Sequence, residues 1–171
     1  DDVTTKPSFE AALDRARREP GYVAYSALVN AKEAAPEDQF PPYRLAVLRN
    51  FTIEPALPAI EAQVLLCGRC PETYVADFDA SAAEVHNPDA GLYRHNPDAI
   101  IIANWLETLS PHLATAFPEL TAEGVTAEID RLCQDTVMLL SAIRRQSNAP
   151  ILINNFPLPA APAMGILDAQ D

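Results

Sequence analysis

Apolar residues recur at Phe9, Ala12, Leu13 and Ala16, three and four positions apart, behind a Ser8 suited to cap a helix. This spacing predicts a first helix of about three turns, stopped by Pro20-Gly21. Tyr22 to Ala35 has high helix propensity, with Tyr25, Leu28 and Val29 as its apolar side, and Pro36 ends it. Residues 36–43 contain Pro36, Pro41 and Pro42 and read as a linker. The pattern then changes period. Leu45, Val47 and Leu48 predict a strand over about 44–50, and the helix after it runs to Leu66–Gly68, with Gly68 as its C-cap. Thr73 to Phe78 reads as a second short strand, and residues 80–97, with two Asn-Pro-Asp turns, as a loop or broken helix.

Ala99 to Ala103 is a continuous apolar run with three isoleucines, the pattern of a parallel strand buried on both faces. Ser110-Pro111 opens a short helix. The longest helix is expected over 121–147, with Val125, Ile129, Leu132, Val137, Leu140 and Ile143 on one core-facing stripe. Pro150 closes it, and Ile151 to Ile153 form a fourth strand. Strand and helix alternate, so the expected fold is α/β in three layers. The sheet is mainly parallel, of four to five strands in the flavodoxin-like order 2-1-3-4, with two extra N-terminal helices. The division is a helical extension over 1–40 and an α/β domain over 41–171. A fifth strand is not legible after residue 156, so the sheet has four strands or the domain is truncated at its C-terminal end.

Charge narrows the partners. Residues 1–49 carry 7 basic and 8 acidic side chains, whereas residues 50–171 carry 5 and 16, so −11 of the net charge of −12 belongs to the main domain. Such a surface repels phosphate backbones and argues against nucleic acid. The chain has no apolar run long enough to span a membrane and no secretory leader, and its first residue is not Met, which suits a processed product or an excised domain. Three cysteines are odd in number, too few for a disulfide scaffold, and fit a cytoplasmic location.

Candidate chemistry collects where the strands end. Asn50 and Thr52 follow the first strand, Asp77 and Asp79 the second, Asn104 and Trp105 the third, and Asn154 and Asn155 the fourth. In a parallel sheet these carboxyl ends share one edge, where α/β folds bind ligands. A hydroxyl at Thr52 with amides at Asn50 and Asn104 suits a carbonyl or phosphate oxygen. The competing reading is that Asn and Asp only hold turns there. Asp77 and Asp79, two apart after a strand, resemble the phosphatase signature of the haloacid-dehalogenase superfamily, without its usual following residues. Cys67 and Cys70 form a CxxC at a helix C-terminus, the wrong end for redox chemistry. His86, His95 and His112 have no ligand spacing, so no metal site is expected. Neither a Gly-rich phosphate loop nor a GxSxG elbow is present.

Three segments, LRNFTIEPALPAI, YVADFDASAAEVHNPDAGLYRHNPDAIIIAN and ILINNFPLPAAPAMGILDAQ, together resemble the N-terminal region of FkbH-like proteins over about residues 43–170. These belong to the HAD-IIIC group and make glyceryl-loaded acyl carrier protein for polyketide pathways. The resemblance implies an SGNH-hydrolase-like α/β domain that precedes a phosphatase-like domain. It implies no cofactor in this domain, with Mg confined to the phosphatase-like one. Acyl carrier protein, or the phosphatase-like domain itself, is the implied partner. It places Thr52 near the SGNH nucleophile and Asn104 near the third-block Asn. The Gly-Asp-Ser signature is missing, and the Asp-x-x-His block would lie beyond residue 171. The expected function is an accessory or carrier-binding domain with Asn50, Thr52, Asp77, Asn104, Asn154 and Asn155 as binding residues. The alternatives are an SGNH-type esterase or acyltransferase using Thr52, and a structural dimerisation module.

Overall fold

The computed structural model describes residues 8–156. Helix α1 (Phe9–Arg18) begins where Ser8 Oγ accepts the Ala11 N–H, and it buries Phe9, Ala12, Leu13 and Ala16, the four positions its periodicity marks. Helix α2 (Tyr22–Asn30) is shorter than its propensity suggests. Pro36 forces Ala35 into extended backbone (ψ 134°), and a 3₁₀ turn over Lys32–Ala34 absorbs the change.

Strand β1 (Pro42–Arg49) starts inside the expected linker. Pro41 O accepts the Cys70 N–H at 3.0 Å, and a proline at the first strand position forfeits no ladder bond inside the sheet. Helix α3 (Leu57–Leu66) follows, and then strand β2 (Cys70–Val75) begins three residues earlier than predicted. Gly68 adopts φ +77°, a left-handed turn that sends the chain straight from α3 into the strand. Asp77 and Asp79 are therefore past β2, and Asp79 is itself left-handed at φ 54°.

The stretch over 80–97 is a broken helix, α4 (Ser81–His86) and α5 (Gly91–Arg94). Strand β3 (Ala99–Ala103), the short helices α6 (Leu106–Leu109) and α7 (Pro111–Thr115), the long helix α8 (Ala122–Gln146) and strand β4 (Ile151–Ile153) complete the described chain. All pairings are parallel, in the order β2-β1-β3-β4, as the pattern of elements predicts. A fifth strand in the tail, like the tail itself, falls outside the described residues.

Apolar residues cover both sheet faces. Ala46, Leu48, Ile100 and Ile102 pack with Val85, Leu92, Ala142 and Ile143. Val47 and Ala103 pack with Ile53 on the other side. Helices α1 and α2 pack on α3 around Ala62 and Leu65, where Phe9 meets Phe40 edge to face at 4.9 Å. Lys32 Nζ reaches the nearly buried Glu61 at 2.9 Å, an ion pair between this helical layer and α3. No helix among the described residues is long and apolar enough to cross a membrane.

The stripe expected on α8 is corrected. Its 25 residues make a helix about 37 Å long, whereas the 5 residues of β3 reach only about 17 Å. The helix therefore outruns the sheet. Ile143 is buried, but Ile129 is 48% exposed and Val137 61%.

On the α4 side the packing is tightest at Gly91. Tyr74 Oη donates to Glu84 Oε1 at 3.0 Å, while Glu84 Oε2 accepts the Leu92 N–H at 2.8 Å. Burial, then the Glu84 hydrogen bond, pushes the Tyr74 phenol up to about 12. A Cβ on Gly91 would overlap the Tyr74 ring. Gly91→Ala should lower stability by about 1–3 kcal/mol. The check is urea unfolding, with a lower midpoint at unchanged slope; an unchanged midpoint would show that the ring yields freely.

Candidate functional site

A parallel sheet must end its backbone ladder somewhere, and the N–H and C=O groups just beyond it need partners. Here two asparagine side chains supply them. Asn50, 2% exposed, follows β1. Its Oδ1 accepts the Trp105 N–H at 2.7 Å and its Nδ2 donates to Trp105 O at 3.2 Å. Asn154, past β4, does the same one residue earlier: Oδ1 accepts the Asn104 N–H at 2.8 Å and Nδ2 donates to Asn104 O at 2.9 Å. Each amide imitates a peptide group and makes a two-point bond to the chain leaving β3. Asn50 N–H also donates to Ala103 O at 3.1 Å, and Thr108 Oγ1 to Asn50 O at 3.4 Å.

The clamp fixes Trp105 over Phe51, with their rings stacked at 4.8 Å and 14°. Arg49 braces the same corner, donating to Ala76 O at 3.2 Å and pairing with Glu54 at 3.1 Å. The sequence-predicted site residues thus divide. Asn50, Asn104 and Asn154 meet around one segment. Asn155 turns back, its Oδ1 accepting the Phe156 N–H at 3.0 Å. Thr52 is exposed in the β1–α3 connection, where the hydrogen bonds run through Arg49 and Asn50. Asp77 is exposed beyond β2. Cys67 caps α3 and Cys70 opens β2, and burial pushes the Cys70 thiol up. His95 bonds Glu72 O at 3.0 Å. Among the described residues no group of three His, Cys, Asp or Glu side chains gathers to hold a metal, and Asp77 and Asp79 gain no third carboxylate.

An open groove of about 710 Å³ lies beside this edge, between α4 and α8. Asn104 and Asp79 line it with Ser81 and His86 on one wall, and Met138, Ser141 and Arg145 on the other. The two α8 arginines in the groove differ. Arg131 is committed to Glu128 at 2.7 Å, Asp135 at 2.9 Å and Leu109 O at 2.9 Å. Its guanidinium, with the Ser110 hydroxyl, holds the Glu128 carboxyl below the usual range. Arg145 makes no hydrogen bond or ion pair among the described residues. Among the described residues the groove thus offers the Arg145 guanidinium, the His86 imidazole, the Ser81 and Ser141 hydroxyls and an apolar wall, with the Asp79 and Asp135 carboxylates also in its lining. Periodicity misses it by assigning all of α8 to the core; the signal that reveals it is the length of α8 against the strands.

No family model matches this chain, and no curated protein does. A similar solved structure is the N-terminal part of protein BF1531 from Bacteroides fragilis, which contains a phosphatase domain and is complexed with Mg. The two superpose with a TM-score of 0.55 at 18% identity, over 88% of this chain and 34% of that one. At that identity the likeness is one of fold. This chain spans about a third of the length of that structure.

The clamp predicts an asymmetry. Asn50→Ala empties a buried position and leaves the part-buried Trp105 N–H and C=O unpaired, and should cost about 2–4 kcal/mol, whereas Asn154→Ala, at an exposed position, should cost under about 1 kcal/mol. Urea unfolding followed by the fluorescence of Trp105, the chain's one tryptophan, reads both. Equal losses would contradict the assignment.

Proposed function

We propose that this chain is an accessory domain that binds a carrier protein or substrate and works beside a phosphatase-type domain. In the FkbH-like reading, the neighbouring domain performs phosphoryl and glyceryl chemistry while this one holds acyl carrier protein. One observation carries the proposal: the Asn50 and Asn154 amides are spent on backbone, while the adjacent groove holds Arg145 and His86, neither hydrogen-bonded nor ion-paired among the described residues, beside an apolar wall. A carrier protein is acidic and bears a phosphodiester-linked arm with an apolar stretch, so a guanidinium and an imidazole along such a wall suit it. The fold shared with a phosphatase-containing protein supports this reading. Magnesium belongs to the neighbouring domain, and no step here runs through it.

A second reading, SGNH-type acyl transfer from Thr52, draws on the exposure of that hydroxyl at the end of β1. An unactivated threonine is a weak nucleophile, which favours the binding role.

Titration with carrier protein bearing its phosphopantetheine arm should shift the NMR signals of His86, Asn104 and Arg145 and leave those of Thr52 in place. Arg145→Glu should weaken binding by about tenfold or more. Unshifted groove signals at saturating carrier would refute the binding reading. Thr52-dependent hydrolysis of p-nitrophenyl acetate would favour the esterase.

A further inference from the structure

The groove between α4 and α8 has two chemically different ends. Helix α8 connects two parallel strands, so it runs against the strand direction. Its first half stands at the carboxyl edge of the sheet, where Arg131 donates to Leu109 O and Ser110 Oγ donates to Glu128. Its last turns stand at the amino edge, where Arg144 donates to Ala149 O just ahead of β4.

The amino end of the groove is cationic. Ser141 and Arg145, four positions apart on one side of α8, line it. His86 joins them from α4. The neighbouring Val85 O accepts the Tyr93 hydroxyl at 2.9 Å, and Arg145 is close enough to Tyr93 to offset part of the rise that burial gives its phenol.

The carboxyl end is the reverse. Asp79 lines it with Ser81 and Asn104. The Asp79 N–H donates to Arg49 O at 2.9 Å, which ties it to the last residue of β1, and its φ of 54° sets a left-handed turn. Its carboxylate makes no hydrogen bond or ion pair among the described residues. The Asn104 side-chain amide is likewise unpaired among them, because Asn154 takes only its backbone. Arg131 is shared between Glu128 and Asp135, a set that is itself net negative. Val137 and Met138 supply an apolar wall between the ends, and α8 rises about 15 Å from Asp135 to Arg145.

Charge therefore sets the direction of a ligand lying along this groove. An anionic head goes to Arg145 and His86. A neutral group at the other end finds donors and acceptors in Ser81, Asn104 and Asp79. A second anion there meets a carboxylate with no spare cation. Building on the carrier-binding reading, we infer that the phosphopantetheine arm lies along α8 with its phosphodiester at Arg145 and its acyl load at Asp79. Asp79 is then a specificity-determining residue, which favours uncharged loads and rejects those that end in an anion.

The test uses the full chain and acyl carrier protein loaded with a butyryl or a succinyl thioester, equal in chain length and differing by a terminal carboxylate. Calorimetry should give the succinyl form a Kd about fivefold or more above that of the butyryl form. NMR shift differences between the two complexes should fall on Asp79, Ser81 and Asn104 rather than on His86 and Arg145. Asp79→Asn should bring the two affinities together, and asparagine tolerates the left-handed backbone of this position. Equal affinities of the parent chain for both loads overturn the inference and leave carrier binding standing. Tighter succinyl binding, with the differences at Arg145, overturns it by reversing the arm. A preference that survives Asp79→Asn overturns the role of Asp79. Groove signals unshifted by every carrier form, the unloaded one included, refute the carrier-binding reading itself and this inference with it.

Discussion

Two side-chain amides replace the peptide ladder where the sheet runs out. Asn50 and Asn154 each give one acceptor and one donor to consecutive residues of the segment leaving β3. Without them the backbone of Asn104 and Trp105 would end unpaired at the mouth of a parallel sheet, a loss that weighs most at Trp105, whose part-buried groups meet the buried Asn50. With them, Trp105 is set over Phe51, α6 starts at a defined point, and the chain is aimed into the turn that launches α8. The groove depends on the same device, because Asn104 lies in its lining.

The middle of the fold was legible because it is apolar and periodic. The AIIIA run announces a strand buried on both faces, and the parallel order 2-1-3-4 follows from alternation and handed crossovers. Strand ends were less legible. β1 begins at Pro42, and β2 begins at Cys70, because a glycine turn and the Pro41 carbonyl set the register, and neither has an apolar signature. The α8 stripe shows a deeper limit of periodicity. A helix pattern says which side is apolar but not how far the sheet beneath it extends.

The candidate site was legible as a place more than as a mechanism. Polar residues at strand ends identify the carboxyl edge correctly as where Asn50, Asn104 and Asn154 converge. Whether an asparagine amide faces a ligand or a neighbouring backbone is decided by pairing geometry, which spacing does not encode. His86 and Arg145 enter the groove from two helices almost sixty residues apart, so no local motif could join them.

The central claim is that the asparagine amides are structural members of the sheet. Amide hydrogen exchange by NMR tests it most directly. The Asn104 and Trp105 amides should be protected to a degree comparable with those of β3, far above that of the exposed Glu107. Exchange of Asn104 and Trp105 at the rate of Glu107 would contradict the account and return both asparagines to the pool of free ligand-binding groups.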